Sequence, residues 1–265
     1  MARRSGYSPL LRLACKAAPL LGPEIAPPFF AMLASFLHSF APGLQNVRAN
    51  FERFGLPRSA TPEVMANFAR YLGEFLAVEG DPARLGKIVA SVQLDSIRAA
   101  VAAGRGVLAV TPHFGNWEFG ALAIGAAFPR TAVLIRTTGD ENVDARIRKC
   151  RGANILLDVD QGLRGAWRIL EEGGIVCAAI DEPRSEGIAV DFLGGRTLFP
   201  APLFRMAERV NAAVIPVRCA RDAARHVSIE TFAPANDAQD VARIFSEWIS
   251  RDPAQWVMLG RISSP

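Results

Sequence analysis

The chain has 265 residues, half of them hydrophobic, and 30 Lys plus Arg against 26 Asp plus Glu give a net charge of +4. That length holds one large α/β domain or two small ones, and so small a positive excess argues against a DNA-binding protein. Lysine occurs only at Lys16, Lys87 and Lys149, so nearly all the positive charge is arginine, whose planar fork pairs with phosphate and carboxylate. With the high apolar content, this points to a membrane surface or phosphorylated substrates and to no nucleic-acid partner.

The basic opening "MARRSG" leads into "YSPLLRLACKAAPLLG", which Arg12 and Lys16 interrupt and no clean cleavage site follows, so no secretory signal is expected. The next segment, "IAPPFFAMLASFLHSFAPGL", holds about a dozen uninterrupted apolar residues between prolines, short of the roughly 20 that cross a bilayer. Phe29, Leu33, Phe36, Leu37 and Phe40 recur at helical spacing opposite Ala34, Ser35, His38 and Ser39. Such a helix either lies in a membrane interface or covers a core. The neighbouring Arg3, Arg4, Arg12 and Lys16 suit anionic lipid, and His38 reads as a bystander.

Residues 1–100 are expected to be almost wholly helical, forming a region that packs on a core of residues 101–265. "TPEVMANFARYLGEFLAVEG" starts with Thr61 as N-cap and Pro62 at the first helical position. "DPARLGKIV" opens a second helix in the same way, and "LDSIRAAVAAGRG" ends a third at Gly104.

From Gly106 the pattern changes. Apolar runs of strand length ("GVLAVT", "TAVLIR", "ANILLD", "GIVCAAI", "AAVIPVRC") alternate with helical stretches ("NWEFGALAIGAAF", "DQGLRGAWRILEEG", "PAPLFRMAERVN", "QDVARIFSEWISR"). This predicts an α/β fold, a central mixed but mostly parallel sheet flanked by helices. "HVSIETFAP" reads as a late strand with one wetter face.

Cys15, Cys150, Cys177 and Cys219 show no paired spacing, and Cys177 and Cys219 fall in apolar runs. They read as thiols of a reducing compartment, forming neither a disulfide framework nor a zinc site. Zinc-protease chemistry would need a second histidine near His113, and His226 is far along the chain. No Gly-x-Ser-x-Gly elbow occurs, and "EGGIV" and "LGGRT" lack the spacing of a nucleotide loop.

In a sheet of this kind ligands gather beyond the carboxyl ends of the strands. His113 follows "GVLAV", Arg136 ends "TAVLI" and Asp181 ends "GIVCAAI", so three strands deliver ionisable groups to one edge. Around His113, "TPHFGNWE" has Pro112 to end the strand, Gly115 to permit a bend and Asn116 to cap a helix with Glu118 in its first turn. Folded back, Glu118 would orient the imidazole and favour its protonated form in catalysis. The helix start would offer N–H groups to an oxyanion. A packed core histidine bonded to backbone is the competing reading.

"TPHFGNWE" also resembles the His-x4-acid motif of glycerolipid and lipid A acyltransferases. The Glu form is similar to the lipid A biosynthesis acyltransferase family, within the lysophospholipid acyltransferase superfamily. "VRANFERFG", "LIRTTGDENVDARIRKCRG", the segment from "AAIDEPRSEG" to "AAVIPV", and "DPAQWVMLGRI" are similar to further blocks of that family, covering about residues 40–262. Departures are Glu182 after Asp181 where the family carries Gln, and Met258 and Gly260 where it carries Trp and His, with Arg261 kept.

The resemblance implies direct transfer of an acyl chain from an acyl carrier protein or coenzyme A thioester to a hydroxyl of a lipid A precursor or related glycolipid. In that scheme His113 is the base and Glu118 its orienting acid. Arg136 binds an anionic group, Asp181 organises arginines or the acceptor head group, and Asn116, Arg184 and Arg196 are further substrate contacts. No metal or redox cofactor is called for. The expected location is the cytoplasmic face of the bacterial inner membrane, held peripherally or monotopically. A glycerophospholipid or aminolipid acyltransferase, and a degenerate lipid-binding member without catalysis, are the alternatives.

Overall fold

The computed structural model describes residues 8–37, 39, 43–182 and 187–262. The helical first part comprises α1 (Ser8–Leu37), α2 (Leu44–Arg53), α3 (Thr61–Val78) and the single turn α4 (Pro82–Leu85). β1 (Val89–Gln93), α5 (Asp95–Ala102), β2 (Val107–Thr111), α6 (Trp117–Ala127), β3 (Thr131–Ile135), α7 (Glu141–Cys150), β4 (Ile155–Asp158), α8 (Leu163–Glu171) and β5 (Ile175–Ala179) follow. A hairpin of β6 (Gly187–Phe192) and β7 (Gly195–Pro200) leads to α9 (Ala201–Arg209), β8 (Ala213–Arg221), β9 (Val227–Thr231) and α10 (Ala238–Arg251).

The main sheet has seven strands in the order β1-β9-β8-β2-β5-β3-β4. Every pair is parallel except β8 with β9. This is the mostly parallel, helix-covered sheet that the continuous apolar runs predict. Alternation along β2 shows why both faces must be covered. Leu108 and Val110 enter a core built with α8, α9 and α10, whereas Val107 and Ala109 enter a second core built with α5 and α6.

Two elements depart from the sequence reading. The "KIVASVQ" stretch is not helix: α4 lasts one turn and β1 then pairs in parallel with β9 at the sheet edge. Its residues are partly or fully exposed throughout, so no apolar alternation marks it as a strand. The β6–β7 hairpin also escapes the pattern, because Leu193 turns with φ 51° ahead of Gly194 at φ 75°, and leucine is an unusual residue there. Thr61 is not an N-cap either; it is already helical, and its hydroxyl donates to the Arg58 carbonyl at 2.9 Å.

α1 is one helical run broken at Gly22 (φ 74°, ψ 172°), and Pro19, Pro23, Pro27 and Pro28 lie within it. Pro27 and Pro28 lie inside the second of the two stretches and do not end it as the sequence suggests, and Pro9–Leu37 as a whole is long and apolar enough to cross a membrane by length and composition alone. It packs along α3 where Gly73 leaves room: a Cβ there would lie 3.0 Å from the Ala26 carbonyl oxygen. Its other face is uncovered, with Leu20 87% and Phe36 76% exposed. His38, Phe40, Arg3 and Arg4 lie outside the described residues.

After α10 the chain makes a 3₁₀ turn at Pro253–Gln255 and returns as a strap over the end of β2. Gly115 N–H donates to the Gln255 carbonyl at 2.9 Å, and Val257 N–H donates to the His113 carbonyl at 2.8 Å. From α2, buried Asn50 ties the strap down. Its Nδ2 donates to the carbonyls of Met258 (3.2 Å) and Gly260 (2.8 Å), and its Oδ1 accepts from Ile262 N–H at 2.9 Å. One side chain thus satisfies three backbone groups of a segment with no ladder of its own. Asn50→Ala is expected to cost about 2–4 kcal/mol by stranding them. A denaturant midpoint matching the wild type would show that the strap holds itself.

Candidate active site

Because β2, β5 and β3 are neighbours in parallel register, their carboxyl ends lie side by side. His113 and Asp181, two residues beyond the ends of β2 and β5, meet there. At Pro112 the chain turns sharply, with Phe114 N–H donating to the Pro112 carbonyl at 2.7 Å. Gly115 then takes φ 60°, and a Cβ on it would stand 1.8 Å from the Cys219 carbonyl oxygen. Only glycine fits that approach.

Asp181 has no exposed surface. Its Oδ1 accepts from His113 Nδ1 at 2.6 Å, and its Oδ2 accepts from His113 N–H at 3.0 Å and from Trp256 Nε1 at 2.8 Å. Burial alone would raise the Asp181 pKa, but the imidazolium charge and these donors outweigh it and the net shift is downward. For His113 burial pulls the pKa down, and the charge of Asp181 with its hydrogen bond, helped by Glu182 and Glu118, more than offsets it, so the net shift is upward. With Nδ1 engaged, Nε2 is the ring nitrogen left to act, and His113 lines the adjacent cavity.

The carboxylate that orients His113 is therefore Asp181, not Glu118. Asp181 does not serve as a head-group contact, because it is enclosed. Glu118, also buried, forms a two-pronged ion pair with Arg151 at the end of α7, with Arg151 Nε on its Oε2 at 3.0 Å. The five-residue step does carry Glu118 to the same cavity, but the first turn of α6 aims it at the α7 terminus. Asn116 likewise departs from expectation. It is fully buried, makes no cap to α6, and donates through Nδ2 to Glu74 Oε2 at 2.8 Å. Glu74 is clamped in turn by both terminal nitrogens of Arg221. Asn116 thus has no surface to offer a substrate.

A cavity of about 250 Å³ opens beside His113. Toward the sheet its lining is apolar and small, with Ala109, Ala121, Ile124, Val133, Cys177 and Cys219. At the other end stand His113, Glu118, Arg151, Arg136 and Glu182. Trp117 lies edge-on to His113 at 4.9 Å and stacks on Tyr71 at 4.2 Å, walling one side. Arg136 reaches Glu182 at 3.2 Å with both side chains half exposed, so it stands at the mouth as the strand pattern predicts. Arg196 does not line this cavity; it lies exposed on β7 near Asp191. Arg184 lies outside the described residues, and His226 sits in an exposed turn.

Sequence reading does not single out Glu74, Arg151, Arg221 or the function of Trp256. Glu74 carries a signal in retrospect: a lone acid in "YLGEFLAV" must be paired if that run is buried. Arg151 and Arg221 carry none, since their partners are distant in sequence.

A histidine held on a buried carboxylate beside a cavity with both a polar and an apolar lining is suited to activating a hydroxyl beside an acyl chain. The chain belongs to the bacterial lipid A biosynthesis acyltransferase family, whose model matches residues 11–262, and it is accordingly an acyltransferase by family. It is similar to the phosphatidylinositol mannoside acyltransferase of Mycolicibacterium smegmatis, 28% identical over 240 residues that cover 82% of this chain and 78% of that protein. It is also similar to the phosphatidylinositol mannoside acyltransferase of Mycobacterium tuberculosis, 26% identical over 245 residues, covering 82% and 76%.

The Glu118–Arg151 pair gives a test that separates position from chemistry. Removing one partner leaves a buried charge unpaired, so Glu118→Gln or Arg151→Met should each cost about 3–5 kcal/mol, and the double change clearly less than their sum. Additive losses in thermal or denaturant unfolding would show that the pair is not coupled.

Proposed function

We propose that this protein is a membrane-associated O-acyltransferase that moves a fatty acyl chain from an acyl carrier protein or coenzyme A thioester to a hydroxyl of a glycolipid. The observation that carries this reading is the His113–Asp181 pair opening on the cavity between α6 and the sheet, part of whose lining is apolar. His113 Nε2 takes the proton of the acceptor hydroxyl as its oxygen attacks the thioester carbonyl. Asp181 stabilises the imidazolium so formed. The tetrahedral oxyanion lies near the start of α6, whose dipole favours negative charge. When it collapses the C–S bond breaks, the imidazolium returns its proton to the departing sulfur, and an ester and a free carrier thiol leave. The acyl chain lies in the cavity among Ala109, Ala121, Ile124, Val133, Cys177 and Cys219.

Transfer is direct. Cys177 and Cys219 are the thiols nearest the chain, but burial pushes both up to about 12, so neither supplies a thiolate nucleophile near neutral pH. Arg136 at the mouth binds an anionic group of the donor or acceptor, exchanging Glu182 for it. The similarity to phosphatidylinositol mannoside acyltransferases favours a glycosylated phospholipid acceptor over a lipid A precursor. The exposed apolar face of α1 supports membrane association, and the location proposed with it is the cytoplasmic face of the inner membrane.

Acyl transfer assayed with purified protein, thioester donor and lipid extract tests the reading. His113→Ala should lower transfer by about 10²–10⁴-fold while leaving the fold intact, and no stoichiometric acyl-protein should be trapped. The base must be neutral, so kcat/KM should rise with pH through an apparent pKa above 6.5, the ordinary value that the Asp181 pair raises. Asp181→Asn removes the main raising partner and leaves burial, so that limb should move to lower pH. A full-activity His113→Ala, or an acid limb unmoved in Asp181→Asn, would refute the assignment.

A further inference from the structure

A second, larger cavity of about 560 Å³ lies away from His113 and shares no lining residue with the first. Pro28, Ala31, Met32 and Ser35 of α1 form one wall, Glu63, Asn67 and Arg70 of α3 another, and Arg225 in the turn between β8 and β9 closes it. Arg70 is only 7% exposed, yet among the described residues it makes no hydrogen bond or ion pair, and its Nε is buried without a partner. Burial, with Arg225 and Arg221 as like-charged neighbours, brings its pKa down to about 10 despite Glu74 and Glu63, so it remains charged at neutral pH.

That arrangement is unfavourable as it stands. A buried charge is costly unless paired. Every acid near Arg70 is compromised: Glu74 is held by both terminal nitrogens of Arg221, leaving the exposed Glu63 against Arg70 and Arg225 together. An anion in the cavity would resolve the imbalance, and a guanidinium fork fits a phosphate group with paired hydrogen bonds. The opposite wall is apolar and continuous with the uncovered surface of α1, where Met32 is 54%, Leu33 45% and Phe36 76% exposed. The ligand thus has a phosphate on one side and hydrocarbon on the other.

We propose that this groove binds the phosphate of an anionic phospholipid, with Arg70 and Arg225 as its ligands, fixing the enzyme's depth and orientation on the membrane. The inference rests on the reading of α1 as the membrane-facing element.

The test uses the full chain and two probes, with Arg70→Gln, Arg225→Asn and, as a charge control, Lys16→Gln on the exposed side of α1. Arg70→Gln removes an unpaired buried charge and is not expected to unfold the protein. Asn at 225 tolerates the left-handed backbone there (φ 70°). Vesicles of digalactosyldiacylglycerol, uncharged and free of phosphate, are compared with the same vesicles containing phosphatidate. Phosphatidate should strengthen wild-type binding, and Arg70→Gln should weaken that binding by about 10–100-fold, the range for hydrogen bonds to a charged group. Lys16→Gln should lose no more than about fivefold, the diffuse effect of one surface charge. Binding to the phosphate-free vesicles should be unchanged in all variants. In solution, dihexanoyl phosphatidate should bind the wild type and not Arg70→Gln. Equal losses for Arg70→Gln and Lys16→Gln, or none for either arginine variant, would overturn the site. Inorganic phosphate binding as tightly as dihexanoyl phosphatidate would overturn its assignment to a lipid. Soluble binding through Arg70 without binding to either vesicle type would keep the site and sink the membrane reading of α1.

Discussion

The enclosed carboxylate of Asp181 is the constraint around which this molecule is arranged. A buried charge of that kind is tolerated only when hydrogen-bond donors surround it, and its donors come from separate parts of the chain: His113 beyond β2, through both ring and backbone, and Trp256 from the C-terminal strap. Neither part is self-supporting. His113 is carried on a turn that Gly115 lets approach Cys219, and Trp256 is stacked on Phe51 of α2 at 6.1 Å while Asn50, one residue earlier, holds the strap. The middle of the sheet and the C-terminal strap therefore meet at one carboxylate, and α2 holds the strap in place.

The same rule governs the other buried charges. Glu118 is matched by Arg151, and Glu74 by Arg221 and Asn116. These pairs lie along the boundary between the helical first part and the sheet, where the chain brings α3, α6, α7 and β8 together. Their worth is in orientation as much as in stability, because each fixes a direction in a region otherwise packed with apolar side chains. Arg70 is the exception among its neighbours, and its isolation is what marks the cavity beneath α1 as incomplete.

α1 presents the opposite problem. Large side chains such as Leu20 and Phe36 stand uncovered on one side, while the other side is fitted to α3 through Gly73. A helix serving only to cover the core would not retain such a surface. In the proposed role its inner face belongs to the protein and its outer face to lipid, with the catalytic edge of the sheet held at a fixed distance from both.

Much of this was legible in the sequence, because short-range rules govern it. Unbroken apolar runs alternating with helical stretches specify a covered parallel sheet, and strand ends then bring His113, Arg136 and Asp181 to one edge. The family was legible through short blocks such as "TPHFGNWE" and "DPAQWVMLGRI". Which acid serves His113 was not. Glu118 and Asp181 are both carboxylates near a histidine, one near in sequence and the other 68 residues away, and spacing favours the near one. Strand order decides for the far one, since β5 lies beside β2, whereas the first turn of α6 carries Glu118 toward α7. Asn116 has the composition of a cap and the surroundings of a buried brace. The β1 edge strand lacks the periodicity that would reveal it, because pairing and not side-chain burial defines an edge, and the β6–β7 hairpin is hidden by a turn that begins with a leucine. Local pattern determines which elements form and which faces are apolar; only the packed chain determines which charges meet, because the cost of leaving one alone is settled by partners distant in sequence.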